Sequence, residues 1–455
     1  MPVSPATRTV LRDLLALAWP VVLARIGIMV MGLTDAIVVG NFSSEELAFH
    51  TLAWTPTAIV VTTAVGLLLG VQVMTARRLG EGRRDEAGAV LRRGLVYALW
   101  LGGGSMIGLM VLGPAGLENF GLGEGLAEGA RLPLMVFALS MPAYLVSVAA
   151  QFFLEALGKP KPGMVAMWVA NGVNLGLNLL FVPDLLGLGV DGALGSSWAT
   201  FCARGALAVF LIVYILRLPE ARALGLFRKP ERDPLAEAEQ RKVGYGAGSS
   251  YFIEVAAFAL MALIAGRLGT VETAAWAVVL NISAIVFMVP MGLSSATAVL
   301  VGRAFGAADA PGVMRAGLVS LAVIAALTLV IALIVWPTAP LLIQAYSRDP
   351  ELVALAVPAL VLATLFFVAD GIQAVAAQAN RAAGDIWWPT IMHFTAYGAV
   401  MMPLGWVLAP QMGVNGMVWA IIIASLVSSS LLTGRFIRVA RRMQKVASGE
   451  WRVPS

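Results

Sequence analysis

Three carboxylates stand inside apolar stretches of this chain: Glu254 in GYGAGSSYFIEVAAFALMALIAGRLG, Asp370 in LATLFFVADGIQAVAAQ and Asp35 in MGLTDAIVVG. Counted from Lys242 at about 1.5 Å per residue, Glu254 lies ~18 Å along a helix. That helix must cross roughly 30 Å of hydrocarbon. An ionisable group at such depth is costly unless it pairs, takes a proton or faces a wet cavity. Two carboxylates close together in a low dielectric cannot both stay charged cheaply. A Glu254–Asp370 pair would therefore take up a proton, a metal cation such as Na⁺, or an organic cation. Such ligands compete for one charge. Competition couples the movement of one to that of another when the occupied states face opposite sides. The plainer reading is a neutral, hydrogen-bonded structural acid or the partner of a buried arginine. Intramembrane acids more often mark ion and substrate paths.

A second polar group is MWVANGVNLGLNLLFVPD, where Asn171, Asn174 and Asn178 recur at helical spacing and share one face. Three amides on one apolar helix need partners. They either tie helices together or form a polar pocket with Asp35, to which Tyr144 and Thr200 are weaker candidates. Arg25 and Arg204 are the only cations well inside apolar runs, and both read as structural.

The elements that must position these residues follow from composition. The chain has 455 residues, 59% hydrophobic and 13% charged, with mean hydropathy +0.86. Soluble domains carry nearly twice that share of charge, so this is a membrane protein. Apolar runs of spanning length fall at 14–40, 51–76, 90–113, 132–155, 163–183, 192–216, 245–268, 273–301, 313–336, 352–379, 386–409 and 413–435. They predict an all-α protein of twelve transmembrane helices. The polar stretch 217–244 divides it into an N-terminal lobe (1–216), a cytoplasmic linker loop and a C-terminal lobe (245–455) with a basic tail. The net charge of +5 is not a nucleic-acid signature. Nearly all of the 31 Lys and Arg residues fall on one side of the alternating loops, with only Arg131, Arg267 and Arg348 opposite. Both termini are therefore expected in the cytoplasm.

The two sets of six helices read as copies. GLLLGVQVMTARRLGEG from Gly66 matches GLSSATAVLVGRAFGAA from Gly292, which sets Arg77 over Arg303 and Gly80 over Gly306. The same register sets Gly40 over Gly266 and Gly158 over Gly384, and GVDGAL at Gly189 matches GVNGMV at Gly413 in nearly the same register. Six spans per copy make the copies parallel, so their symmetry axis is expected along the membrane normal. The acids break the symmetry: Glu254 falls over Ile28, Asp370 over Tyr144 and Asp35 over Met261.

Other chemistries find no support in these residues. One cysteine, Cys202, excludes a disulfide framework and reads as a buried structural thiol in an apolar helix. Two histidines, His50 and His393, cannot build a multi-histidine metal site. The G-x-G-x-x-G spacing at Gly187 joins two spans and is a turn. No phosphate loop, zinc-protease motif or nucleophile elbow is present, so an intramembrane enzyme is the weaker class. No cofactor is expected.

With these motifs in place, the chain resembles the multidrug and toxic compound extrusion (MATE) family, in its NorM-like branch. The resemblance spans the whole length. It rests on MGLTDAIVVG, the paired turns at Arg77 and Arg303, NGVNLGLN, FIEVAAF and VADGIQAVAAQANRAAGD. It implies a multi-pass protein of the cytoplasmic (inner) membrane that exports cationic, lipophilic drugs in exchange for H⁺ or Na⁺. Glu254 and Asp370 would form the second-lobe cation site, and Asp35, Asn174 and Asn178 the first-lobe site. Some sodium-binding members carry a tyrosine one turn before the second acid; here that place is Phe366, which has no oxygen. The implied partners are small organic cations and the lipid bilayer, with the protein acting as a monomer. The rival within this architecture is a flippase of lipid-linked precursors or polysaccharides, which would need a cavity lined by cations.

Overall fold

The computed structural model describes residues 5–119, 125–229 and 233–448, and among these there is no strand. Eleven helical stretches are long and apolar enough to cross a bilayer, and twelve if one bent pair counts as a single span. In chain order the helices are α1 (Pro5–Phe42), α2 (Ser44–Leu67), α3 (Leu69–Gly80), α4 (Ala87–Asn119), α5 (Leu126–Leu139), α6 (Met141–Ala156), α7 (Lys161–Phe181) and α8 (Gly192–Leu216). They continue with α9 (Pro234–Leu268), α10 (Thr270–Gly306), α11 (Ala310–Tyr346) and α12 (Pro350–Ala382). Next come α13 (Trp387–His393), a π-helical stretch Phe394–Met401, α14 (Met402–Met412) and α15 (Val414–Ala447). The bent pair is α5 and α6, which meet at Ser140 with a 41° bend.

Helix starts follow capping chemistry. Ser43 is extended, its hydroxyl accepts from the N–H groups of Glu45 and Glu46 at 3.2 and 3.4 Å, and both acids lie in the first turn of α2. Asp349 caps α12 in the same way, accepting from Glu351 N–H at 3.0 Å, with Pro350 opening the helix.

The internal repeat is visible in how helices end. After α3, Gly82 has φ +77° and the Arg83 N–H donates to Arg78 O at 3.0 Å; after α10, Ala308 has φ +54° and the Asp309 N–H donates to Ala304 O at 2.9 Å. After α6, Gly158 (φ +83°) precedes a Lys159–Leu154 bond of 2.8 Å; after α12, Gly384 (φ +92°) precedes an Asp385–Asn380 bond of 2.9 Å. Each is the six-residue closure that satisfies terminal carbonyls with a left-handed residue. Ala308 is the member of this set with a Cβ, and a left-handed L-residue costs about 1–2 kcal/mol. Ala308→Gly is therefore expected to raise stability by about 1 kcal/mol in thermal unfolding of the detergent-purified protein. No gain would show that the strain is relieved locally.

The described residues cluster into two compact units. One lies within Met1–Val22, Gly80–Gly82 and Ser249–Ser455, the other within Leu23–Leu79 and Arg83–Gly248. The division by sequence is therefore redrawn in two places. The start of α1 clusters with the second half, and the central segment 217–244 clusters with the first. Nor is that segment all loop. From Pro234 it is the opening of α9, capped by Asp233, which accepts from the Ala236 N–H at 3.0 Å. The charged stretch EAEQRK hides this helix from a hydropathy reading.

The central segment is tied to its own unit by polar contacts. Arg92 Nη1 donates to the carbonyls of Gly225 and Leu226 at 2.7 and 2.9 Å, and Arg77 pairs with Glu239 at 3.3 Å. Arg228 donates to Asp85 at 2.6 Å, which holds the Asp85 carboxyl below the usual carboxylate range, and Lys159 does the same for Glu220. The first of these two pairs is exposed and the second half-exposed, and both contribute little to stability.

The core of the second half is apolar and rich in small residues: Trp276, Ala359, Phe366, Met417 and Ile421 are buried among α10, α11, α12 and α15. Small side chains let helices approach closely where lipid offers no hydrophobic drive. Cys202 is exposed, contrary to the buried thiol expected from sequence. Apolar surroundings in the sequence of a membrane helix do not separate a lipid-facing position from a packed one.

Candidate functional site

In the second half, α9 carries Glu254 and α12 carries Asp370, both half-buried. The charges of Asp370 and Arg381 both act on Glu254, so the structure brings the two acids within electrostatic reach. Asp370 Oδ1 accepts from Gln373 Nε2 at 3.2 Å and from the Tyr397 hydroxyl at 3.4 Å. Tyr397 is fully buried and lies in the π-helical stretch. Pro403 follows that stretch and withholds a backbone N–H from the helix ladder. The wider π turn accommodates this and sets the register of Tyr397; such bulges recur at functional sites. Phe366 is not part of the cluster. It is 4% exposed in the apolar core, edge-on to Phe367 with ring centres 5.2 Å apart.

In the first half, Asp35 is 3% exposed and the side chains that hydrogen-bond to it are neutral. Its Oδ1 accepts from Asn174 Nδ2 at 3.0 Å and Asn178 Nδ2 at 2.8 Å, and its Oδ2 from the Thr200 hydroxyl at 2.8 Å. Asn174 Nδ2 also reaches Thr200 Oγ1 at 3.2 Å. The charges of His50 and Arg204 act on Asp35 as well. The Oδ1 atoms of Asn174 and Asn178 are buried without a partner. That arrangement suits a change of protonation. A protonated Asp35 becomes a donor, and rotation of either amide would present the acceptor it needs.

Two weaker candidates stand apart from this pocket. Asn171 Nδ2 donates to Gly27 O at 3.0 Å and Met167 O at 2.9 Å, so it ties α7 to α1. Tyr144 packs under Arg204, whose guanidinium lies 4.6 Å from the ring centre and donates to the Ser140 hydroxyl at 2.7 Å. Arg204 also stacks on Trp54 at 5.4 Å, as a structural cation held by aromatic faces should.

The sequence reading missed one deep acid. Glu155 and Arg25 are both buried and pair at 3.5 Å, and Gln72 Nε2 donates to Glu155 Oε2 at 2.6 Å. In the repeat register Glu155 corresponds to Arg381, which donates to the Ser250 hydroxyl at 2.5 Å and to Gln378 Oε1 at 3.3 Å. The same place in each copy thus holds a buried charge, of opposite sign. The presence of Arg25 was the available signal, since a buried arginine calls for an acid. For Tyr397 the signal was the spacing of Thr390, His393 and Tyr397 inside one apolar run.

Comparison with known proteins decides the family. The MatE family model matches residues 20–180 and 247–407, one stretch in each copy of the repeat. A probable multidrug resistance protein NorM of Caulobacter vibrioides is 56% identical over 441 residues, covering 96% of this chain and 94% of that protein. The chain belongs to the MATE family. Solved structures agree in fold. A eukaryotic MATE transporter, AtDTX14, is 16% identical with a TM-score of 0.87, over 97% of this chain and 99% of that one. An outward-facing multidrug resistance MATE transporter of the MOP superfamily is 18% identical with a TM-score of 0.88, over 98% and 100%. This MATE protein is a multi-pass membrane transporter of the multidrug efflux family and not an enzyme.

Proposed function

We propose that this MATE protein is a proton-coupled antiporter of the inner membrane that exports cationic, lipophilic compounds by alternating access. The observation that carries the reading is the Glu254–Asp370 pair. Two acids sit within electrostatic reach in an apolar helix bundle, with Arg381 the cation acting on Glu254. Such a pair binds a positive charge from solution, either a proton or a cargo cation. Asp35 is a second proton acceptor, held by neutral donors that tolerate its charged form and can serve its protonated form. Phe366 is core, so the cluster lacks the tyrosine oxygen one turn before the second acid, and the Tyr397 hydroxyl meets Asp370 as a hydrogen-bond donor. This favours protons over Na⁺ as the coupling ion. The relative named for multidrug resistance supports the cargo class. The protein is expected to act as a monomer without a cofactor.

The test is efflux of a cationic dye from proteoliposomes with ΔpH and ΔNa⁺ imposed separately. Efflux driven by ΔpH alone is expected. Efflux that follows ΔNa⁺ alone would replace the proton by sodium, and transport of a lipid-linked precursor with no dye flux would point to the flippase class.

A further inference from the structure

His393 is 2% exposed, and neither ring nitrogen has a hydrogen-bond partner. A buried polar group left unpaired costs free energy that an apolar residue of similar size would avoid. The ring sits in the last turn of α13, edge-on to Tyr397 with centroids 5.9 Å apart, and the Tyr397 hydroxyl reaches Asp370. One turn earlier on α13, Thr390 receives a hydrogen bond from Ser250 at 3.2 Å, and Ser250 receives one from Arg381 at 2.5 Å. Thr390, His393 and Tyr397 fall on one helical face. Ser250 and Glu254 are one turn apart on α9. Asp370, Gln378 and Arg381 descend α12 toward the α12–α13 turn, about 16 Å from the acid to the end of the ladder at 1.5 Å per residue. Three elements thus supply a polar stripe that starts at the carboxylate pair and ends where α12 ends.

We propose that His393 is the proton relay between the Glu254–Asp370 pair and the end of the bundle at the α12–α13 turn. This rests on the proton-coupled reading above. In the relay step the carboxylic O–H breaks, one ring nitrogen of His393 takes the proton, and the other nitrogen releases its own proton to water. The ring returns to neutral, and the carboxylate is left ionised to receive a cargo cation. The charged group that acts on the ring is Arg381 on α12; Glu254 on α9 and Asp370 on α12 act on Tyr397, the ring's neighbour, which also meets the neutral Ser425 hydroxyl on α15.

The variant His393→Gln keeps a polar side chain of similar size but cannot relay a proton. In proteoliposomes, dye efflux driven by ΔpH should fall about 100-fold, the lower range for a positioned proton-transfer group. Exchange of labelled for unlabelled dye at zero ΔpH should be unchanged, because it moves no net protons. His393→Leu, which removes both ring nitrogens without adding a polar group, should show the same split and serves if His393→Gln does not insert. Unchanged ΔpH-driven efflux, or equal loss in both modes, overturns the relay. Dye exchange without any ΔpH-driven efflux in the wild type would instead overturn proton coupling itself, and the relay with it.

Discussion

Glu254→Gln and Asp370→Asn are each expected to abolish ion-driven dye efflux while leaving insertion and folding intact. Each substitution keeps shape and removes the charge that proton and cargo compete for. With one acid of the pair neutral, the other no longer needs to give up a proton before a cation binds. The exchange then loses its driving force even where cargo still enters. The fold should tolerate the change, because burying an amide costs less than burying an ionised carboxylate. Asp370→Asn retains the contacts with Gln373 and Tyr397 in part, since the amide oxygen can still accept both. Proteoliposome efflux and size-exclusion behaviour check both halves of this expectation. Efflux at the wild-type rate would remove these acids from the mechanism.

Glu155→Gln should destabilise the fold more than any of the substitutions above. It leaves Arg25 buried without the carboxylate at 3.5 Å, and both side chains are only 6% exposed. Breaking one side of a buried pair costs about 3–5 kcal/mol, whereas replacing both sides by apolar residues is often neutral. The double variant Arg25→Met/Glu155→Leu should therefore recover most of the loss in thermal unfolding. A double variant as unstable as Glu155→Gln would mean that the pair positions something beyond itself, with Gln72 the first place to look.

Much of the site was legible in the sequence where it depended on one helix at a time. Asn174 and Asn178 share a face, and that face meets Asp35, because a four-residue step returns to the same side of α7. Asn171 belongs to the same stripe but meets α1 at Gly27, where a missing side chain brings the backbone within reach of the amide. Which level of a stripe meets which neighbour is a matter of packing, and spacing alone does not carry it. Tyr397 was missed for a related reason. Its register is set by a π turn, and its partner Asp370 lies 27 residues earlier. Glu155 escapes a sequence reading because it stands at the end of an apolar run, where the edge of the membrane is expected, while α6 continues to Ala156 with Glu155 buried. The spans themselves, and the matched turns of the repeat, followed from length and glycine placement. The helical opening of α9 did not, because charge conceals it.

The central claim is that a proton and a cargo cation compete for the same carboxylates. It is tested most directly by titrating the purified protein with a cationic dye in weakly buffered solution and recording proton release together with dye binding. Linkage requires that a proton which weakens dye binding be displaced by the dye. The expected result is proton release in step with binding by the wild type, and none by the Glu254→Gln/Asp370→Asn double variant. Tight dye binding by the wild type with no proton released would contradict it.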